Sequence, residues 1–334
     1  MSAPSLLDCP EAQFAIAAVR EAAQLTRRVQ QEMCTEALTK GDKSPVTVAD
    51  FSAQAIVAKR MAEALPDARL VGEEDAADLN ATDEGRATLA QIQHFLEANI
   101  PGVSADEVCQ LIDHGNAKPE GKFWTLDPVD GTKGFLRGDQ YAVALALIED
   151  GQVSLGVLGC PELNDQLSPE LGGSGALLIA KRGEGAFVAS VTGDAEWKPL
   201  KVSPCEEVKD TRIFRSVETA HTNTGQLGQL AGAMGVEAQP IPMDSQAKYA
   251  VLAAGGGEML VRLLSANRPD YREKIWDQAA GSIVVEEAGG RVTDLDGKPL
   301  DFSHGTSLLE NRGVLATNGQ VHQAALEALR AIGA

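Results

Sequence analysis

Aromatic residues make up only 4% of this chain, and no apolar run approaches the roughly 18 residues that a membrane-spanning helix needs. A membrane role therefore has no support, and any flat organic ligand must rely on aliphatic walls more than on ring stacking. The opening stretch MSAPSLLDCPEA lacks both a basic start and an apolar signal core, so a cytoplasmic address is expected. Cys9, Cys34, Cys109, Cys160 and Cys205 are odd in number, scattered and never in CxxC spacing, which gives neither a disulfide framework nor a zinc site. The five histidines are equally dispersed, leaving oxygen atoms as the ligands for any metal. Basic residues are also in deficit. With 29 Lys and Arg against 48 Asp and Glu, the formal net charge of -19 repels nucleic-acid backbone at long range, so a polymer-binding role has no electrostatic support. Small anions would then need help from metal ions.

What is present fits a soluble globular protein: 334 residues, 44% apolar and 23% charged, enough to bury a sizeable core in two lobes. Helical spacing of Ala15, Val19, Ala22, Leu25, Val29 and Met33 predicts a helix from Glu11 to Met33, and a second is expected from about Ala49 to Ala64, stopped by Pro66. Arg69 to Gly72 and Phe123 to Leu126 read as short strands ending in acids, separated by an insertion from Ala76 to Lys122. Alternating apolar residues around Asp150-Gly151 predict one hairpin, and Ala176 to Val188 a second. From about Lys201 the pattern changes to strands such as Ile213 to Arg215 and Met259 to Leu263 separated by helices, so the expected division is residues 1–200 and 201–334.

The acids fall in telling places. In Asp127-Pro128-Val129-Asp130-Gly131-Thr132, proline and glycine are expected to force a tight turn that aims both carboxylates one way. Glu73-Glu74-Asp75 ends another strand, Asp50 is expected to open the second helix, and Asp277 to sit in the first turn of a helix from Ile275 to Glu287. Each acid alone is explained as a turn residue, cap or solvated charge. Gathered in one cleft they would repel strongly and would call for a cation such as magnesium, which takes oxygen ligands and shares its shell with phosphate.

The runs VGEED (Val71 to Asp75), WTLDPVDGTKGF (Trp124 to Phe135) and IWDQAAGSIVVEEAGG (Ile275 to Gly290) resemble the inositol monophosphatase superfamily of lithium-sensitive phosphatases. That resemblance implies a layered α/β/α/β/α sandwich, metal ligands at Glu73, Asp127, the Val129 carbonyl, Asp130 and Asp277, and two or three Mg²⁺ ions. It implies that Asp50 and Thr132 orient and deprotonate the attacking water, with the Gly131 and Thr132 amides gripping a phosphate oxygen.

Further segments, SPVTVAD (Ser44 to Asp50), KGFLRGDQYAVALALIEDG (Lys133 to Gly151), SVETAH (Ser216 to His221) and DSQAKY (Asp244 to Tyr249), are similar to the 3'(2'),5'-bisphosphate nucleotidase branch. By that similarity His221, Ser245, Lys248 and Arg262, with Tyr271 and Lys274 behind them, hold a small nucleotide. The implied reaction is removal of the 3'-phosphate of adenosine 3',5'-bisphosphate, with its sulfated analogue PAPS as a second substrate. A broad inositol monophosphatase or inositol polyphosphate 1-phosphatase activity is the enzymatic alternative. A non-catalytic nucleotide sensor is the alternative of another class. A monomer is expected, with neither nucleic acid nor membrane as partner.

Overall fold

A computed structural model describes residues 5–37, 44–193, 196–217, 224–264 and 268–334. Five layers stack around two sheets. The first layer is a helix pair, α1 (Pro10–Ala37) and α2 (Ser44–Ala64). They cover a seven-stranded sheet whose strands lie in chain order: β1 (Leu70–Gly72), β2 (Lys122–Asp130), β3 (Ala142–Glu149), β4 (Gln152–Cys160), β5 (Ala176–Lys181), β6 (Gly185–Ser190) and β7 (Lys198–Pro199). Only the β1–β2 pairing is parallel. Side-chain alternation splits the sheet into two faces. Val143, Leu145, Leu147, Val157 and Ile179 pack with Ala15, Val19 and Val57 of the helix pair, whereas Ala144, Ala146, Leu158 and Leu178 join the central core.

That central core holds the third layer, α7 (Ala247–Ala253) and α8 (Ala279–Glu287). Their other side meets a second sheet of order β11-β12-β10-β8-β9, built from β8 (Ile213–Arg215), β9 (Ile241–Pro242), β10 (Met259–Arg262), β11 (Arg291–Thr293) and β12 (Val314–Thr317). Leu260, Val314 and Ala316 face the central core, while Met259 and Leu315 turn outward to α6 (Thr224–Met234) and α9 (His322–Ile332). The layering is the α/β/α/β/α sandwich expected from the sequence.

Several boundaries differ from the sequence reading. The second helix begins at Ser44, not near Ala49, because Pro45 fits a first helical turn whose amide needs no partner. Asp50 consequently lies inside α2 instead of opening it. Strand β2 does not stop at Leu126; it runs through Pro128 to Asp130. The Asp277 helix begins at Ala279, so Asp277 sits in the turn ahead of it, where the Gln278 and Ala279 amides donate to the Ile275 carbonyl at 3.2 and 2.9 Å. The segment from Ala76 to Lys122 carries two helices, α3 (Asp83–Leu96) and α4 (Ala105–Asp113), packed on α2. Ser104 and Glu107 form a capping box at the start of α4, a pattern readable in the sequence.

Close packing in the central layer depends on Gly281. A Cβ there would lie 2.6 Å from the Tyr249 ring, and Tyr249 is itself fully enclosed. Gly281→Ala is therefore expected to cost about 1–3 kcal/mol through overpacking. The check is thermal unfolding followed by circular dichroism: a lowered midpoint is expected, and an unchanged one would show that α7 and α8 can part without loss.

Candidate active site

Asp127 and Asp130 are three apart on one strand, so regular alternation would send them to opposite faces. A β-bulge prevents this. Asp127 pairs with Ala144 but Asp130 pairs with Ala142, so β2 carries one residue more than β3 across the interval, with Pro128 and Val129 inside it. The expected tight turn is thus a bulge, followed by reversal at Gly131, whose φ of 101° suits glycine. The result is convergence: one carboxylate oxygen from each of Asp127, Asp130 and Asp277 lies within 4.8 Å of the others.

Two more acids approach, one from the end of the neighbouring strand and one from α2. Glu73 follows β1 close to Asp277 and Asp130, and Asp50 in α2 feels both Glu74 and Glu73. Gln54 in α2 holds this acidic loop, donating to the Glu74 carbonyl at 2.6 Å and the Ile112 carbonyl at 2.8 Å, and accepting from the Glu74 amide at 3.2 Å. Asp113, at the end of α4, accepts from the Ala76 amide at 2.9 Å. The helical segment before β2 therefore props the loop that carries Glu73.

Burial is the leading cause of the electrostatics here. It pushes Glu73 up to about 7, aided by Asp277, Glu74 and Asp130, and pushes Asp277 up to about 7, aided by Asp130. Asp127 and Asp50 rise well above the usual carboxylate range for the same reason, burial first and neighbouring carboxylates second. Burial also raises Asp130, against the pull of the Gln246 amide, Arg262 and Lys248. The helix-terminus preference expected for Asp277 is outweighed. At an effective dielectric near 20, each close pair of charges repels by on the order of 3–4 kcal/mol. Asp127 Oδ1 is in addition buried without a hydrogen-bond partner. Clustered oxygen donors, one of them orphaned, fit a hard divalent cation.

Beside the acids lies a cavity of about 630 Å³ whose lining includes Asp130, Gly131, Thr132, Asp277 and the cations Lys248 and Arg262. Lys248 is 9% exposed and forms no salt bridge among the described residues; burial, then Arg262, pushes its ammonium down to about 8. Arg262 Nη2 bonds Glu273 Oε2 at 2.9 Å, while its Nε is buried without a partner. Ser245, with φ of 64°, and half-buried Tyr271 also line the cavity. Arg268 lies over the Tyr271 ring at 4.7 Å. Lys274 is not part of this lining: its ammonium sits 5.4 Å from the Trp276 ring. His221 lies outside the described residues. Thr132 is exposed at the start of α5 (Thr132–Arg137), and no hydrogen bond joins it to buried Asp50 among the described residues.

Sequence reasoning passed over three residues that organise the site. The Gln246 amide donates to Asp130 Oδ2, and its side chain bonds the Trp276 carbonyl at 3.0 Å and the Gly281 amide at 3.1 Å. Gln278 accepts from the Tyr249 hydroxyl and donates to Glu273 Oε2 at 2.9 Å. Glu273 thereby anchors Arg262. Only the adjacency of Gln246 to Ser245 and of Gln278 to Asp277 marked those two in the sequence, and nothing marked Glu273 among the charged residues around it.

Residues 9–334 match the inositol monophosphatase family. A Schizosaccharomyces pombe protein named 3'(2'),5'-bisphosphate nucleotidase is 42% identical over 96% of this chain and 95% of its own length. An Oryza sativa protein of the same name is 41% identical over 94% of this chain and 91% of its own. Among solved structures, the inositol monophosphatase of Anabaena aligns with a TM-score of 0.62 and 21% identity, over 96% of this chain and 97% of that one. The Thermotoga maritima enzyme gives 0.62 at 19% identity, over 97% and 98%. With its converging acids and its sheet order, this chain belongs to the inositol monophosphatase family, a family of metal-dependent phosphatases.

Proposed function

We propose that the protein is a magnesium-dependent phosphomonoesterase that removes the 3'-phosphate of adenosine 3',5'-bisphosphate, giving AMP and phosphate, and that accepts PAPS as a second substrate. The observation that carries this reading is the pairing, in one cavity, of a carboxylate cluster with the cations Lys248 and Arg262. A monoester with a second phosphate matches both halves. The names of relatives at 41–42% identity support the nucleotide over an inositol phosphate.

Glu73, Asp127, the Val129 carbonyl, Asp130 and Asp277 are assigned to hold the metal. Two or three ions would neutralise the phosphate and stabilise developing charge at both reacting oxygens. The chain's own residues do the rest. Thr132 orients the attacking water through its hydroxyl, and Asp50 takes the water's proton. The new P–O bond forms as the 3'-ester bond breaks, and the freed 3'-oxygen takes a proton from solvent. The Gly131 and Thr132 amides hold a phosphate oxygen. Lys248 and Arg262 bind the 5'-phosphate with charge-assisted hydrogen bonds, helped by Ser245, with His221 and Tyr271 toward the nucleoside. On this reading residues 1–200 supply most metal ligands and residues 201–334 the nucleotide contacts.

Phosphate release from adenosine 3',5'-bisphosphate and from inositol 1-phosphate, each with magnesium and with chelator, tests the reading. Expected is magnesium-dependent turnover of the nucleotide, abolished by chelator and inhibited by calcium, whose looser shell of six to eight ligands spoils an in-line geometry. Faster turnover of inositol phosphate would assign the protein to the other substrate class, and full activity in chelator would remove the metal.

The raised carboxylates also make stability depend on pH. Glu73 and Asp277 bind protons more tightly folded, at about 7, than unfolded, at about 4, so the folded state holds more protons between those values and loses stability as pH rises through that window. In chelator, wild type should melt at a higher temperature near about pH 5 than near about pH 8. Asp127→Asn removes one repelling charge, so it should melt higher than wild type near about pH 8 in chelator while losing at least about a hundredfold in turnover. Retained turnover would take Asp127 out of the metal site, and a lower melting point would show that charge repulsion does not govern the stability of the cluster.

A further inference from the structure

The end of α5 reaches across to the segment that carries Lys248. Arg137 donates from Nε to Asp139 Oδ2 at 2.7 Å and from Nη2 to Asp244 Oδ2 at 2.9 Å. The second oxygen of Asp244, Oδ1, accepts from the Ser216 hydroxyl at 2.5 Å and the Val217 amide at 3.1 Å. Asp244 thus gathers donors from two separate stretches, α5 and the exit of β8, onto its own loop before α7. The pair is shielded, with the Arg137 and Asp244 side chains 28% and 15% exposed. Burial works against the Asp244 charge, yet the Ser216 hydroxyl, the Val217 amide and Arg137 together hold its carboxyl below the usual range.

The chain just beyond Asp244 is held under constraint. Ser245 occupies the left-handed region at φ 64°, unfavourable for a residue with a side chain. It faces Gly131, where an added Cβ would lie 2.7 Å from the Ser245 Cβ. The Gln246 amide then bonds Asp130, and the Lys248 amide bonds the Ser245 carbonyl at 3.2 Å. A shift at Asp244 therefore passes to Ser245 in one residue and to Lys248 in one turn. The same carboxylate fixes the far end of α5, whose first residue is Thr132. Two ends of the cavity are set by one ion pair.

We infer that Asp244, clamped by Arg137 and Ser216, is a positioning residue that sets discrimination for a substrate with a second phosphate, by fixing Ser245 and Lys248 relative to Thr132. It acts through those residues and does not touch the reacting atoms. The inference rests on the nucleotidase reading for its substrate, but the clamp itself can be read without one.

The test compares adenosine 3',5'-bisphosphate with adenosine 3'-monophosphate, which lacks the second phosphate. In Asp244→Asn, the ratio of kcat/KM for bisphosphate over monophosphate should fall about tenfold, chiefly through KM, and Arg137→Lys, which keeps the charge, should lie between that variant and wild type. Equal loss on both substrates, or no loss on either, would overturn the inference, since a merely stabilising ion pair would not separate them. Hydrogen exchange decides the clamp independently of activity: in Asp244→Ala the Val217 and Gln246 amides should exchange at least about tenfold faster while those of β4 keep their protection. Unchanged exchange at Val217 and Gln246 would also overturn it. Failure of wild type to hydrolyse the bisphosphate would count against the nucleotidase reading, and the exchange result would then decide the clamp alone.

Discussion

Like charges forced together away from water are the constraint on which this structure turns. Asp127, Asp130 and Asp277 bring carboxylate oxygens within 4.8 Å, with Glu73 beside the group and Asp50 close behind. A fold selected for stability alone would separate them or neutralise them with arginine. Here the nearby arginines are committed elsewhere, Arg262 to Glu273 and Arg137 to Asp139 and Asp244, and buried Lys248 only tempers the charge of Asp130. Such a cluster must keep protons or accept a cation.

Holding such a cluster takes rigid support on every side. The bulge in β2 turns Asp130 to the same side as Asp127, Gln54 and Asp113 fix the Glu73 loop, and Gln246 ties Asp130 to the Trp276 carbonyl and the Gly281 amide of α8. These supports come from α2, α4 and the loop before α7, so several layers meet at the acids. The enclosed central core supplies the stiffness. Val284, Val285 and Ala280 of α8 lie between the two sheets with almost no exposure, leaving Asp277 little room to withdraw.

The layers and hairpins were legible because their signals are periodic. The alternation through Val143, Leu145 and Leu147 predicts β3 without tertiary information, and the helical repeat from Ala15 to Met33 predicts α1. The acids were legible as motifs. What the sequence hid were features that arise from pairing. A bulge between Asp127 and Asp130 exists only against β3, and the turn bearing Asp277 exists only against Ile275 and the α8 entry. The start of α2 was written in Ser44-Pro45, but the apolar spacing pulled the reading to Ala49. Gln246, Gln278 and Glu273 were invisible for a different reason: their importance lies wholly in the partners that the fold delivers to them.

This cluster is expected to trade protons for a divalent cation. Calorimetric titration of Mg²⁺ near about pH 7, in two buffers of different ionisation enthalpy, measures that exchange directly. Binding should release protons, because Glu73 and Asp277 are partly protonated at about 7 in the metal-free protein, and the release should shrink as the pH is raised. Magnesium binding with no buffer dependence, or no binding at millimolar magnesium, would show that the carboxylates do not exchange protons for the ion.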